Sequence, residues 1–233
     1  MSNLPLQFHH RLPPILCALA VALAPSGAAQ THYLPAGQPD AIALLAPPPL
    51  PDSPEQAADL AEVQSVSRAA PSNEIAAAMA EKKFTVFDFA PVIGDSFRPG
   101  AFPRTEEFFR LLQKDAEIVC EDAKQHWKRP RPYSIDPTLA AGKLEKSFSY
   151  PSGHSTESMV LALVLADLFP ARHDALIAEA RRIGWRRVEM GRHYPTDIYA
   201  GRVLAQAIVR EMKRKAHFQK DFARVKAELA ARP

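Results

Sequence analysis

The sequence of 233 residues contains two cysteines, Cys17 and Cys120. Two are too few for a disulfide scaffold or a cysteine-rich zinc module. The sequence also lacks internal repeats, a glycine-rich phosphate loop and runs of alternating strand residues. Its most apolar runs, 15–24 and 159–169, are too short to cross a bilayer as permanent helices, and the second contains Asp167. These absences exclude a multi-span membrane protein.

The composition is that of an ordinary globular protein, with 47% hydrophobic and 24% charged residues. The chain is long enough for one large domain or two small ones. A net charge of +3 and a pI of about 8.9 are too weakly basic to indicate nucleic-acid binding, and we expect no nucleic-acid partner. Twelve of the 22 prolines lie in the first 71 residues, so the front of the chain differs from the rest.

The N-terminus has the pattern of an export signal. Arg11 precedes the apolar run 15–24, and small residues follow it. This pattern predicts a signal peptide over residues 1–29, cleaved after Ala28 or Ala29, and a periplasmic mature protein without membrane contact. Because the segment before the run is weakly charged, an uncleaved membrane anchor stays an alternative. After cleavage Cys120 is alone, so no internal disulfide is expected.

The rest of the sequence predicts an all-α protein, a single-domain helical bundle over residues 56–233 behind a proline-rich arm at 30–55. Proline fixes φ and lacks a donor, so the arm is expected to be extended. The segment 155–169 is apolar nearly all round and predicts a central buried helix. Cys120 lies on the apolar stripe of another helix and is expected to be a core residue. The predicted helices cover residues 55–68, 72–83, 105–127, 155–169, 174–190, 196–215 and 217–231, with an irregular segment at 84–103.

The first of three basic motifs contains Lys124 and Arg131. Lys124 is expected in the last turn of its helix, and Pro130 and Pro132 then force the chain out of helical conformation. Arg131 is therefore expected in an extended segment. The alternative is that these cations only complement the helix dipole, which favours positive charge at a C-terminus.

The second motif, residues 150–156, enters the most apolar helix. A helix N-terminus presents unpaired N–H groups and a partial positive charge, which suit an anion. Gly153 lets the backbone approach a ligand, Ser152 adds a hydroxyl, and His154 can donate or accept a proton. The alternative is an ordinary helix cap formed by Ser152 or Ser155.

The third motif contains Arg187, His193 and Asp197. His193 and Asp197 are four residues apart, so the carboxylate can hold one ring nitrogen and leave the other exposed. A histidine that acts as a base or nucleophile is oriented in this way. Taken alone, a surface His–Asp pair is the alternative.

In this order, the three motifs resemble those of the type 2 phosphatidic acid phosphatase superfamily, and within it the class A bacterial non-specific acid phosphatases. The arm around Tyr33 and the segment from Pro103 also resemble that class. The resemblance implies the helical fold that acid phosphatases share with vanadium haloperoxidases. One position departs from the pattern: Arg186 stands where the class usually has serine, which puts one hydroxyl contact to phosphate in doubt.

The resemblance also implies roles for the residues. It makes His193 the nucleophile that forms a phosphohistidine, Asp197 the residue that holds its tautomer, and His154 the proton donor to the leaving group. It implies small phosphorylated substrates, an acid pH optimum, no cofactor or metal, inhibition by inorganic phosphate or vanadate, and a possible homo-oligomer. A vanadium haloperoxidase and a non-catalytic anion-binding protein are the alternatives. The implied phosphate ligands are Lys124, Arg131, Ser152, Gly153 and Arg187.

Overall fold

The computed structural model describes residues 31–71, 73, 75–76, 84–140 and 142–231. Within these residues the regular secondary structure is helical and contains no strand, which confirms the all-α prediction. The longer helices are α1 (Pro54–Ala69), α2 (Pro103–Trp127), α3 (Gly153–Leu168), α4 (His173–Glu189), α5 (Pro195–Lys213) and α6 (Ala216–Ala230).

The helix α3 lies at the centre of the bundle and packs against α2, α4 and α5. Ten of its sixteen residues are buried, which fits a helix that is apolar on all sides. The long helix α2 buries the predicted stripe from Leu112 to Ala123 against it. Cys120 belongs to that stripe and is 1% exposed, so its predicted place in the core is correct.

The helix boundaries follow local chemistry. Ser53 begins α1, because its hydroxyl accepts the Gln56 N–H at 3.1 Å and Pro54 occupies the first helical position. At the end of α2, Lys128 adopts a left-handed conformation with φ of 48°, and Pro130 prevents continuation. The helix α3 begins at Gly153, two residues before the predicted start, because Ser152 caps it.

The proline-rich arm is predicted to be extended, but part of it is helical. Asp40 caps a single helical turn, Ala41–Leu44, by accepting the N–H groups of the second and third residues of the turn at 3.0 Å. The arm also packs on the bundle, because the backbone N–H groups of His32 and Tyr33 each donate to the Asp115 carboxylate at 2.6 Å. It is therefore part of the packed structure.

Segments of lesser regularity connect the longer helices. The stretch 84–103, predicted as irregular, contains a short 3₁₀ helix, Val86–Phe89, and one turn of α-helix, Ala90–Ile93. Two further short helices, Pro132–Ile135 and Pro137–Leu139, follow α2, and Pro170–Arg172 precedes α4. Most of the predicted helix 72–83 and the whole predicted signal peptide lie outside the described residues.

A close helix crossing brings the second and third motifs together. A Cβ atom on Gly201 of α5 would lie 2.9 Å from the Ser152 carbonyl oxygen and 3.1 Å from the Thr156 nitrogen, so only glycine fits there. Next to the crossing, the Ser152 N–H donates to the Asp197 carbonyl at 3.1 Å, and the Ser155 hydroxyl donates to the Ile198 carbonyl at 2.8 Å. The start of α5 is thereby fixed on the start of α3.

Candidate active site

A pocket of about 150 Å³ lies where the three basic motifs meet. One water occupies about 30 Å³ in the liquid, so the pocket has the volume of about five waters, enough for a phosphoryl group. The structure places six of the eight residues predicted from the motifs in its lining, and these are Lys124, Arg131, Gly153, His154, Arg187 and His193. Ser152 and Asp197 are fully buried directly behind the lining.

The floor of the pocket at α3 is a helix N-terminus. Ser152 caps the helix, since its hydroxyl accepts the Ser155 N–H at 3.4 Å. Gly153 leaves room for the lysine of the first motif: an ideal Cβ on Gly153 would lie 3.6 Å from Lys124 Nζ. The ammonium of Lys124, 5% exposed, pairs with Glu121 at 2.6 Å. The helix end and the lysine supply positive charge to this part of the pocket, and Glu121 and Glu157 supply negative charge beside them.

Arg131 is held rigidly beside the pocket. Its Nε donates to the Ser147 carbonyl at 2.8 Å, and its Nη2 donates to the Ser147 hydroxyl at 3.0 Å. Its Nη1 donates to the Arg192 carbonyl and lies 3.1 Å from His193 Nε2. An extended segment ahead of Pro132 was predicted, and the backbone of Arg131 is indeed extended. The guanidinium is thus preorganised next to the histidine.

His193 is buried and held from behind by Asp197. The ring Nδ1 lies 3.3 Å from Asp197 Oδ2, which also accepts the Tyr194 N–H at 2.9 Å and the Ser149 hydroxyl at 2.6 Å. An acceptor at Nδ1 favours the Nδ1–H tautomer, which leaves the Nε2 lone pair facing the pocket. Burial, with the positive charge of Arg131 next in size, lowers the pKa of His193 well below its usual value. The imidazole is therefore neutral and oriented, as a nucleophilic histidine has to be.

His154 is the second titratable histidine in the pocket. Burial, with the charges of Arg187, Lys124 and Arg131, lowers its pKa to about 3. The His154 ring is therefore neutral at pH values well above 3. The sequence-based expectation that an acid medium protonates His154 thus requires an anion in the pocket, whose charge offsets these cations.

Glu145 lies against three arginines around the pocket. Its carboxylate contacts Arg187 Nη2, lies 3.2 Å from Arg192 Nη1 and lies 3.8 Å from Arg131 Nη1. Burial alone would raise the pKa of Glu145, but the charges of these three arginines outweigh burial and lower it. The carboxylate is therefore ionised and neutralises cations that the motifs assign to phosphate.

Several residues that shape the pocket were missed by the sequence analysis. Ser149 directly precedes the second motif, but nothing marked its hydroxyl as a partner of Asp197. Arg129 lies inside the first motif and donates to Asp197 Oδ1 at 2.6 Å. Glu145 and Asp59 carry no local signal, because Arg187 lies 42 residues from Glu145 and Arg129 lies 70 residues from Asp59. Long-range pairing of this kind has no signature in a single sequence.

In the part of the chain that the structure describes, neither Cys120 nor a cluster of metal ligands adds a second site. Burial raises the pKa of Cys120 to about 12, so the residue is a thiol and not a reactive thiolate. Among the described residues no group of histidine, cysteine, aspartate and glutamate side chains is arranged to hold a metal ion. No helix in the described part of the chain is both long and apolar enough to cross a membrane.

The segment that carries the three motifs matches a known family of proteins. Residues 115–220 match the model of the PAP2 superfamily and contain all three motifs. Over this part of the chain, the match confirms the resemblance drawn from the motifs.

Individual relatives are similar over parts of the chain. A non-specific acid phosphatase of Salmonella typhi is 32% identical over 147 residues, which are 60% of this chain and 59% of the relative. An acid phosphatase of Zymomonas mobilis is 28% identical over 199 residues, which are 82% of this chain and 75% of that relative. A transmembrane PAP2-type phosphatidylglycerolphosphate phosphatase from Bacillus subtilis shares the fold, with a TM-score of 0.51, 21% identity and coverage of 77% and 90% of the two chains.

The two adjacent arginines of the third motif should differ in importance. Arg187 lines the pocket, whereas Arg186 is absent from its lining. Adjacent helical residues project about 100° apart, so one pocket does not use both. We expect Arg187→Ala to lower kcat/KM for a phosphate monoester by roughly 10²-fold or more, the scale of one lost transition-state donor. Arg186→Ser should change it by less than about threefold, because Arg186 does not line the pocket.

Both variants are assayed with one substrate after circular dichroism shows that each is folded. A large loss from Arg186→Ser beside a mild loss from Arg187→Ala would mean that the third motif is displaced by one residue.

Proposed function

We propose that the protein is an exported acid phosphatase that hydrolyses phosphate monoesters through a phosphohistidine, without a metal. The observation that carries the proposal is the position of His193: its Nε2 lies 3.1 Å from Arg131 in a pocket that Lys124 and Arg187 also line. Phosphoryl transfer needs mainly positioning and charge stabilisation, and side chains can supply both. Export and a periplasmic location are supported by the signal-like pattern at residues 1–29.

The first chemical step forms a bond between His193 Nε2 and phosphorus and breaks the bond from phosphorus to the ester oxygen. His154 donates a proton to that oxygen, so the alcohol leaves neutral. Lys124, Arg131, Arg187 and the backbone at Gly153 hold the phosphoryl oxygens as their negative charge shifts. Asp197 accepts the Nδ1–H of His193 and stabilises the positive charge that develops on the ring.

The second step hydrolyses the phosphohistidine. The deprotonated His154 takes a proton from water, the water oxygen attacks phosphorus, and the phosphorus–nitrogen bond breaks. Inorganic phosphate is released, and His193 returns to its neutral state. Phosphate and vanadate should compete with substrate, because both are tetrahedral oxyanions that fit the same cations.

The test measures p-nitrophenol release from p-nitrophenyl phosphate by the purified protein after incubation with EDTA. We expect EDTA to change the rate by less than about twofold, because the site consists of side chains and backbone. Orthovanadate should inhibit competitively. A rate that EDTA abolishes and a divalent cation restores would contradict the proposal.

Glu145 should compete with the substrate phosphoryl group for the arginines of the pocket. Its carboxylate contacts Arg187 and approaches Arg131, two of the proposed phosphate ligands. A hydrogen bond to a charged group contributes about 1.5 kcal/mol or more, and 1.4 kcal/mol is a tenfold change in an equilibrium constant. Glu145→Gln should therefore lower KM, and the Ki of inorganic phosphate, by about tenfold.

Glu117→Gln is the matched control, since Glu117 also lines the pocket but makes no ion pair among the described residues. A rise in KM for Glu145→Gln, with the control unchanged, would show instead that Glu145 orients the arginines.

A further inference from the structure

Arg129 is a buried cation beside the proposed nucleophile and is not part of the pocket lining. Its side chain is 3% exposed, and its guanidinium carbon lies 3.9 Å from the centre of the Tyr194 ring. Arg131, two residues further along, faces the pocket, whereas the terminal nitrogens of Arg129 are directed to other protein groups. Arg129 therefore does not contact a phosphoryl group held in the pocket.

The two terminal nitrogens of Arg129 bridge two carboxylates. Nη1 donates to Asp197 Oδ1 at 2.6 Å and to the Thr196 hydroxyl at 2.7 Å. Nη2 donates to Asp59 Oδ2 and to Gln56 Oε1, both at 2.7 Å. Asp59 and Gln56 lie on α1, so the bridge joins α1 to the first turn of α5.

The two oxygens of the Asp197 carboxylate accept hydrogen bonds from different groups. Oδ1 accepts from Arg129, and Oδ2 accepts from Ser149, Tyr194 and His193. A fully buried carboxylate is costly unless it is paired and hydrogen-bonded. Arg129 supplies the charge partner, and the four contacts fix the plane of the carboxylate, which in turn fixes the ring of His193.

We propose that Arg129, anchored by Asp59 of α1, is a positioning residue that holds Asp197 and thereby the Nδ1–H tautomer of His193. The helix α1 lies before the segment that matches the superfamily model, residues 115–220. A helix outside the matched domain thus contributes to the alignment of the nucleophile. The kinetic part of this inference rests on the proposed function, whereas its structural part does not.

The test uses Arg129→Lys, which keeps the charge but loses the planar fork that reaches both carboxylates. We expect kcat to fall by roughly 10- to 100-fold, the usual scale for partners that orient a functional ligand. The Ki of inorganic phosphate should change by less than about twofold, because Arg129 does not touch the anion. In long-range ¹H–¹⁵N spectra, His193 should change from one Nδ1–H tautomer to a mixture.

Val63→Ala is the control for general destabilisation, because Val63 is fully buried on α1 and makes no hydrogen bond to the charge bridge. Even where Val63→Ala lowers the melting temperature as much as Arg129→Lys does, it should retain kcat and the single His193 tautomer. If Arg129→Lys does not fold, Asp59→Asn replaces it, since it removes the anchor but keeps the arginine on Asp197. We expect the same pattern from Asp59→Asn with a smaller loss of kcat.

Three results would overturn the proposal: an unchanged His193 tautomer in the variant tested, a rise in Ki that parallels the fall in kcat, or an equal loss of kcat in Val63→Ala. The spectra are recorded on ligand-free protein and need no turnover. An inactive wild type with the single Nδ1–H tautomer would therefore contradict the phosphatase proposal and leave the positioning role supported.

Discussion

His193→Ala should abolish phosphoenzyme formation and lower kcat/KM by at least about 10⁴-fold, the scale on which removal of a catalytic nucleophile acts. The imidazole presents an unprotonated Nε2 to the pocket, 3.1 Å from Arg131 Nη1, because Asp197 holds the proton on its other nitrogen. Alanine leaves Lys124 and Arg131 in place, so inorganic phosphate should still bind. Loss of chemistry with retained binding separates a nucleophile from a phosphate ligand.

The measurement is a rapid quench of enzyme and substrate into base, followed by mass spectrometry for a phosphorylated histidine peptide. His173→Ala is the matched control, because His173 lies on α4 with 58% of its side chain exposed and pairs with Asp174 outside the pocket. It should behave as wild type. A phosphorylated peptide recovered from His193→Ala would remove His193 from the nucleophile role.

The fold was largely predictable because strong local signals mark its helices. The apolar stripe of α2 repeats at helical spacing over most of 25 residues, and prolines mark its end. The helix α3 is apolar enough to require a central place. The proline-rich arm was harder, since proline content predicts an extended chain but Asp40 is able to cap a helical turn within it.

The candidate site was predictable only where the residues that interact belong to the same motif. The spacing of His193 and Asp197 and the glycine at a helix start are local features. The roles of Arg129 and Arg131 could not be separated in the same way, because both are arginines before a proline. Their difference arises from Asp59, 70 residues away, and from the direction in which the chain leaves α2. Such partners become visible only in the folded chain.

His154→Ala should slow the reaction most for substrates whose leaving alcohol has a high pKa. General-acid help contributes roughly 10²–10⁴-fold when the departing oxygen needs a proton. Alkyl phosphates should lose activity on that scale, while p-nitrophenyl phosphate, which releases a stable phenolate, should lose much less. His126→Ala is the control, since His126 lies in the last turn of α2 and is exposed. Equal losses across leaving groups of widely different pKa would remove His154 from the acid role.

The proton that His154 donates should enter the site together with the anion. Its pKa of about 3 keeps the ring neutral at pH 5, and the cations Arg187, Lys124 and Arg131 contribute to that low value. A bound phosphoryl dianion offsets these charges, so the pKa of His154 rises and the complex takes up a proton. Calorimetry of phosphate binding at pH 5 in two buffers of different ionisation enthalpy measures this uptake. Wild type should bind more protons per phosphate than His154→Ala, because the protonation of phosphate itself cancels in the difference. Identical uptake by the two proteins would mean that His154 stays neutral and that the leaving group takes its proton from another source.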